Sequence, residues 1–151
     1  MADNPWVQKS PASEPAPVVA EIPAEKGLNQ ARAASPQDGV PVPDQADRLP
    51  RRTTPHSATI WWLGVTGGAG ESTLAALARG SRAAGHEWPI PENRGSVSRV
   101  VLVARTNFAG LTAAQHAAIE WASGLFGDAV RVDGLVLIPD MPGRMPKELR
   151  H

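Results

Sequence analysis

The chain has 151 residues, with 15 basic and 15 acidic side chains and therefore no net charge at neutral pH. This length allows one folded domain with a tail. The balanced charge offers no general electrostatic attraction to nucleic acid or to an anionic membrane. The absence of cysteine excludes disulfides and thiolate metal sites. The four histidines lack the spacing of zinc ligands.

Residues 1–56 are predicted to form a disordered tail. Ten of the 15 prolines lie within residues 1–55, among Ala, Glu, Gln and Asp with few large apolar side chains. Such a composition buries too little surface to offset the entropy lost on ordering. The tail is either a solvated extension or a docking segment with Trp6-Val7 as its anchor.

Two further expectations concern location. The sequence does not begin with a basic stretch followed by an apolar core, so no secretory signal is expected. The longest apolar run, residues 58–65, is too short to span a bilayer. We therefore expect a cytoplasmic protein with no membrane partner.

The predicted domain, residues 57–148, alternates strand and helix patterns. Three apolar runs are typical of buried parallel strands: residues 59–65, 100–104 and 135–138. Two stretches carry apolar side chains at helical spacing: residues 72–84 and 112–125. Residues 86–98 hold two prolines and a glycine, and we expect a loop there. This order predicts a small α/β fold, a three-layer parallel sheet with right-handed crossovers.

A glycine-rich loop connects the first predicted strand to the first helix. Residues 64–73 read Gly-Val-Thr-Gly-Gly-Ala-Gly-Glu-Ser-Thr. In this position glycines allow backbone conformations closed to other residues and let several N–H groups converge on an anion, next to the positive end of the helix dipole. The candidate binding residues in this loop are Gly67, Gly68, Ala69, Gly70, Glu71, Ser72 and Thr73.

The loop resembles the deviant Walker A sequence, K-G-G-x-G-K-[ST]-T, of the MinD and ParA class of ATPases. It shares the glycines and both hydroxyl residues of that sequence, but Thr66 and Glu71 replace the two lysines. The resemblance implies a P-loop NTPase-like fold. It also implies ATP and Mg²⁺ as candidate cofactors, with the Ser72 hydroxyl as the magnesium ligand.

Glu71 stands where the phosphate-binding lysine is expected. A carboxylate there repels the β- and γ-phosphates, but in the first turn of a helix it also interacts favourably with the dipole. Two interpretations follow. Either Glu71 occupies the anion site of a nucleotide-free loop, or a cation from elsewhere compensates and some nucleotide or anion binds.

Other charged residues follow the second and third predicted strands. Arg105 and Arg144 are the candidate replacement cations, since ligands of open α/β sheets gather at the carboxyl ends of the strands. The alternative is a salt bridge from either arginine to Glu71 or Asp140. Asp140 is also the candidate Walker B carboxylate, although Pro139 separates it from the strand.

Residues 99–138 are similar to the late strand–helix–strand segment of MinD-like ATPases, but Pro139-Asp140 replaces the asparagine that recognises the base there. The segment carrying the switch aspartates of that class is missing. Residues 58–147 are also similar to an uncharacterised family of actinobacterial P-loop-like proteins. The likeness lies in Trp61-Trp62-Leu63-Gly64 with the glycine loop and in the run Asp140-Met141-Pro142-Gly143-Arg144-Met145-Pro146.

The sequence therefore favours a degenerate P-loop NTPase-like module that acts mainly through a protein partner or self-association and does not hydrolyse nucleotide efficiently. The small predicted core supports a partner. The tryptophans Trp61, Trp62, Trp88 and Trp121 are either interface anchors or core residues. One alternative is an ATP- and Mg²⁺-binding MinD/ParA-like protein, and another is an accessory in DNA partitioning or conjugation without direct DNA contact.

Overall fold

A computed structural model of the chain describes residues 35–140. Within them, six strands and two α-helices form a mixed α/β fold in which every strand pair is parallel. The strands are β1 (Arg51–Thr54), β2 (Trp61–Gly64), β3 (Arg82–Gly85), β4 (Trp88–Pro91), β5 (Ser98–Arg105) and β6 (Val130–Ile138). The helices are α1 (Glu71–Leu77) and α2 (Phe108–Ala122). Neither helix is long and apolar enough to cross a membrane.

The main sheet has the strand order β3-β2-β5-β6. The chain moves from β2 through α1 to β3 on one side, and from β5 through α2 to β6 on the other. Because such crossovers are right-handed, the two helices lie on opposite faces of the sheet. The predicted parallel α/β architecture is confirmed. The three predicted strands correspond to β2, β5 and β6.

The hydrophobic core lies between the sheet and α2. Large side chains from β2 and β5 meet Ala114, Ala117 and Trp121 of the helix. Of the tryptophans considered as interface anchors, Trp61, Trp88 and Trp121 are buried in this core. Trp62 is partly buried and donates its indole N–H to the Ser81 hydroxyl. These four tryptophans therefore serve mainly to build the fold.

The helix predicted for residues 72–84 was wrong in its second half. Helix α1 ends at Leu77, and Gly80 adopts a left-handed conformation (φ 77°) that turns the chain back toward the sheet. Residues 82–85 then pair with β2 as strand β3. Its small residues carry little strand propensity, so pairing with the open side of β2, rather than local preference, determines their conformation.

The loop predicted for residues 86–98 was also wrong in part, because Trp88–Pro91 forms β4 and pairs with β1. The Trp88 N–H donates to the Pro50 carbonyl, and the Glu92 N–H donates to the Thr54 carbonyl. The two prolines alternate with these donors, so their missing N–H groups point away from β1. Proline at such positions is compatible with an edge strand.

Of the predicted tail, residues 1–56, the part up to residue 34 lies outside the described residues. The structure corrects its C-terminal part, because Arg51–Thr54 is strand β1 and Gln45–Asp47 is a 3-10 turn. The Gln37 N–H also bonds to the Ala122 carbonyl of α2. Contacts that are remote in sequence hold this stretch, and its own composition does not reveal them.

The side chain of Glu120 joins the N-terminal stretch to the core. It is fully buried on α2, and its Oε2 accepts from the Leu49 N–H at 3.1 Å and from the Trp88 indole N–H at 2.9 Å. Its Oε1 has no hydrogen-bond partner among the described residues and lies 3.9 Å from the Arg51 guanidinium. One carboxylate thus connects α2, β4 and the segment leading into β1.

We predict that Glu120→Ala lowers the free energy of unfolding by about 3–5 kcal/mol, because it leaves two buried donors unpaired and opens a cavity. Glu120→Gln should lower it by only about 1–2 kcal/mol, because the amide oxygen of glutamine can still accept from both donors. Urea denaturation monitored by tryptophan fluorescence measures both values. Equal effects of the two substitutions would show that these hydrogen bonds do not hold the segment.

Candidate functional site

The glycine loop, residues 65–70, connects β2 to α1, as the sequence predicts. Gly68 (φ 70°) and Gly70 (φ 105°) adopt left-handed conformations, and Gly70 is the N-cap of α1. A side chain at either position would be strained, which explains the glycines physically. Gly67, Gly68, Ser72 and Thr73 are exposed, whereas Ala69 is buried. The N–H groups of the first helical turn have no acceptor within the helix, so this end favours an anion.

The carboxylate of Glu71 lies next to Gly64, the last residue of β2, at the point where the glycine loop begins. Glu71 is 8% exposed, although it begins the helix. A Cβ atom added to Gly64 would lie 2.5 Å from Glu71 Oε2, so only glycine leaves room for the carboxylate there. The side chain therefore folds inward against the sheet instead of pointing into solvent.

His86 forms the other side of the Glu71 position. Its Nδ1 lies 2.7 Å from the Gly64 carbonyl oxygen, and because a carbonyl only accepts, this nitrogen carries the hydrogen. Its Nε2 lies 3.9 Å from Glu71 Oε1. The sequence gives no sign of this position, because His86 follows β3, whose residues do not have the pattern of a strand. With β3 placed beside β2, its position next to the loop follows.

Arg105 joins the glycine loop to the end of β6. It ends β5, and its Nε donates to the Gly68 carbonyl at 2.9 Å while Nη1 donates to the Pro139 carbonyl at 2.9 Å. The structure thus brings this candidate cation to the loop. Across residues 35–140, Arg105 forms no ion pair with Glu71 or Asp140, so the salt-bridge alternative was wrong for this arginine. Arg144 lies outside the described residues.

Asp140 lies at the same edge of the sheet, where the parallel strands end. Its Oδ1 accepts from the Asn107 side-chain amide at 2.7 Å, and its N–H donates to the Thr106 hydroxyl at 3.2 Å. The Asn107 oxygen in turn caps α2 by accepting from the Gly110 N–H. Asp140 is therefore held by the β5–α2 junction.

The protein groups at this edge do not by themselves make a magnesium site. Across the described part of the chain, no three His, Cys, Asp or Glu side chains are grouped to hold a metal ion. The oxygen donors that the sequence nominates are the Ser72 hydroxyl and the Asp140 carboxylate, of which one oxygen is already bonded to Asn107. Since Mg²⁺ in such sites is usually held by one or two carboxylates together with substrate phosphates, bound phosphate would have to supply the remaining ligands.

Comparison with known proteins assigns the chain to a family. A family of unknown function (DUF6668) matches residues 58–148. The chain belongs to this family. No curated protein and no solved structure matches it. The DUF6668 match includes the glycine loop, Glu71 and Arg105, and it starts after β1.

We predict that Gly64→Ala lowers the free energy of unfolding by about 1–3 kcal/mol, because the new methyl group overlaps the Glu71 carboxylate. Truncating that carboxylate with Glu71→Ala should recover most of this loss. Gly67→Ala is the matched control, since a Cβ atom there meets nothing within 4 Å. Denaturant unfolding of the two single variants and the double variant gives the coupling energy. Strictly additive effects would show that the carboxylate does not lie at Gly64.

Proposed function

We propose that this DUF6668 protein is a degenerate P-loop NTPase-like module that acts mainly through protein–protein interaction and does not hydrolyse nucleotide efficiently. The parallel sheet, the strand–loop–helix unit and the loop sequence support the P-loop relationship. One observation carries the functional part of the proposal. Glu71 replaces the phosphate-binding lysine, and its carboxylate is buried between Gly64 and His86.

The charge of Glu71 opposes nucleotide binding. Two unit charges 4 Å apart interact by about 4 kcal/mol at the effective dielectric constant typical near a protein surface, which is roughly a thousandfold in affinity. A lysine at this position would attract the phosphates, whereas the Glu71 carboxylate repels them. The helix dipole that normally favours phosphate here favours the carboxylate of the chain itself. This loop therefore keeps the shape of an anion site and carries its own anion.

Hydrolysis lacks a catalytic group as well. An NTPase needs a side chain that positions the attacking water and a cation that stabilises the transferred phosphoryl group. At the carboxyl edge of the sheet, Asp140 is the only acid that the sequence nominates, and Asn107 and Thr106 hold it. This arrangement suits a structural role for Asp140.

The surface supports an interaction function. Three large apolar side chains are exposed near the start of α2 and on β6: Phe108, Leu135 and Leu137. In the sheet formed by residues 35–140, β6 is an edge strand, so its apolar residues lie at a border of the sheet. Exposed apolar groups at a sheet border are typical of surfaces that bind another chain.

A second candidate function rests on Arg105. Its guanidinium contacts the Gly68 carbonyl, so a modest movement would bring it toward a phosphate in the loop. The second candidate is therefore an ATP- and Mg²⁺-binding protein in which arginine replaces lysine. In that case the wild-type chain should bind ATP, and the Arg105→Ala variant should not.

We predict that the wild-type protein does not bind a fluorescent ATP analogue with Mg²⁺ up to roughly millimolar concentration. Glu71→Gln, which removes the negative charge and keeps the shape, should bind measurably. Glu71→Lys should bind at least about tenfold more tightly than Glu71→Gln.

The matched control for total charge is Glu92→Lys, an exposed position in the β4–β5 loop, which should behave like the wild type. Circular dichroism verifies that each variant folds. Micromolar binding by the wild type that Arg105→Ala removes would overturn the proposal in favour of the second candidate.

A further inference from the structure

The outer edge of β6 changes character at Asp133. Asp133 accepts a hydrogen bond from Arg99 of β5 at 2.6 Å and forms an ion pair with Arg131 at 2.9 Å, so the first half of β6 carries charged side chains on one face of the sheet. The pairing with β5 also shifts here, since Val100 lies opposite Val132 and Val101 opposite Gly134. Charges and bulges of this kind protect an edge strand against pairing with another chain. Residues 134–138, in contrast, are uncharged and apolar.

The backbone groups of this apolar half are directed alternately toward β5 and away from it. Thr106 donates its N–H to the Ile138 carbonyl, so the polar groups of Ile138 point toward β5. The N–H and C=O of one residue in a parallel strand point to the same side, and successive residues alternate. Those of Leu135 and Leu137 therefore point to the outer edge. Among residues 35–140, no strand pairs with that edge.

The same two leucines are also exposed on one face of the sheet. Leu135 lies opposite Leu102, and Leu137 lies opposite Ala104. Both partners belong to the buried core, yet Leu135 and Leu137 remain 48% and 47% exposed. With respect to residues 35–140, the edge of β6 thus presents unpaired backbone donors and acceptors together with partly exposed apolar side chains. This combination fits the addition of another strand.

We infer that this edge binds β6 of a second copy of the chain, in an antiparallel pair related by a two-fold axis at Val136. In that register Leu135 lies opposite Leu137 of the second copy, and Leu137 lies opposite its Leu135. Because both leucines direct their N–H and C=O outward, each of these pairs exchanges two hydrogen bonds. The result is four backbone hydrogen bonds and four leucines adjacent on one face.

The ends of this pairing match as well. Two residues beyond the leucine pairs, Asp133 lies opposite Pro139, which has no N–H to donate. Asp133 of each copy and Pro139 of the other copy therefore end the backbone hydrogen bonding, and they do so at both ends of the paired segment. An axis at Leu135 would instead place the Asp133 carboxylate against Leu137. The sequence Leu135-Val136-Leu137 is symmetric about Val136, and its two leucines are about equally exposed, so two copies present the same apolar residues to each other. This symmetry favours a second copy as the partner.

The dimer should be weak. Two short strand segments and four half-exposed leucines bury less than the roughly 1,200–2,000 Å² of a standard stable interface. We expect a dissociation constant of roughly 100 µM. This inference names a partner for the interaction function proposed above and rests on it.

Sedimentation of the full chain over roughly 10 µM to 1 mM tests the dimer. The wild type should change from monomer to dimer across this range. Leu137→Lys should raise the dissociation constant at least about tenfold, because it places a charge within the leucine cluster. Leu77→Lys, an exposed site on α1, is the matched control and should leave the constant unchanged.

Oxidative cross-linking tests the register. The chain has no cysteine, so single-cysteine variants report one position each. At the two-fold axis, Val136 forms a non-hydrogen-bonded pair with its counterpart, with Cα atoms about 4.5 Å apart, which a disulfide can bridge. Val136→Cys should therefore cross-link rapidly, and Leu135→Cys and Leu77→Cys should cross-link slowly.

A monomer at every concentration would overturn this inference, as would a dimer that Leu137→Lys leaves intact. Faster cross-linking of Leu135→Cys than of Val136→Cys would reject the Val136 axis. None of these outcomes changes the nucleotide-binding result, so the two proposals fail separately. Nucleotide binding by the wild type would overturn the proposed function without changing the measured mass.

Discussion

The Glu71 carboxylate lies against the backbone of Gly64, next to the glycine loop, and the function that we propose for this loop depends on that contact. A helix that begins directly behind a strand presents N–H groups and a positive dipole end, which favour an anion. In this protein a carboxylate of the chain itself, that of Glu71, belongs to the first residue of that helix. The carboxylate is buried, glycine at position 64 leaves room for it, and the Gly64 carbonyl holds His86 beside it. A phosphate group would have to bind against this buried negative charge.

The remaining parts of the fold support that arrangement. Arg105 ties the loop to the end of β6 through two carbonyl groups. On the other side of the molecule, the buried carboxylate of Glu120 draws the N-terminal stretch and β4 onto α2. The second small sheet, β1 with β4, thus enlarges a core that the main sheet and two helices alone would leave small. Two buried acids, Glu71 beside Gly64 and Glu120 bonded to Leu49 and Trp88, therefore organise different parts of one small domain.

The sequence predicted the features that depend on local pattern. The buried strands β2 and β5, the glycine loop and α2 follow from apolar periodicity and from glycines that adopt left-handed conformations. Strands β3 and β4 could not be predicted in this way. Ala83 and Ala84 favour helix, and Pro89 and Pro91 are typical of loops, so only pairing with β2 and β1 makes these segments strands. The role of His86 was hidden for the same reason. The sequence did predict Glu71 at the lysine position, but its inward direction depends on tertiary contacts.

The most direct test of the central claim is amide NMR of the loop. Spectra of the wild-type chain are recorded while ATP and Mg²⁺ are added to roughly millimolar concentration. If Glu71 occupies the anion position, the N–H signals of Gly67, Gly68, Gly70 and Ser72 do not move beyond the small changes seen across the whole protein. Saturable shifts confined to these four amides, with a dissociation constant in the micromolar range, would contradict the account.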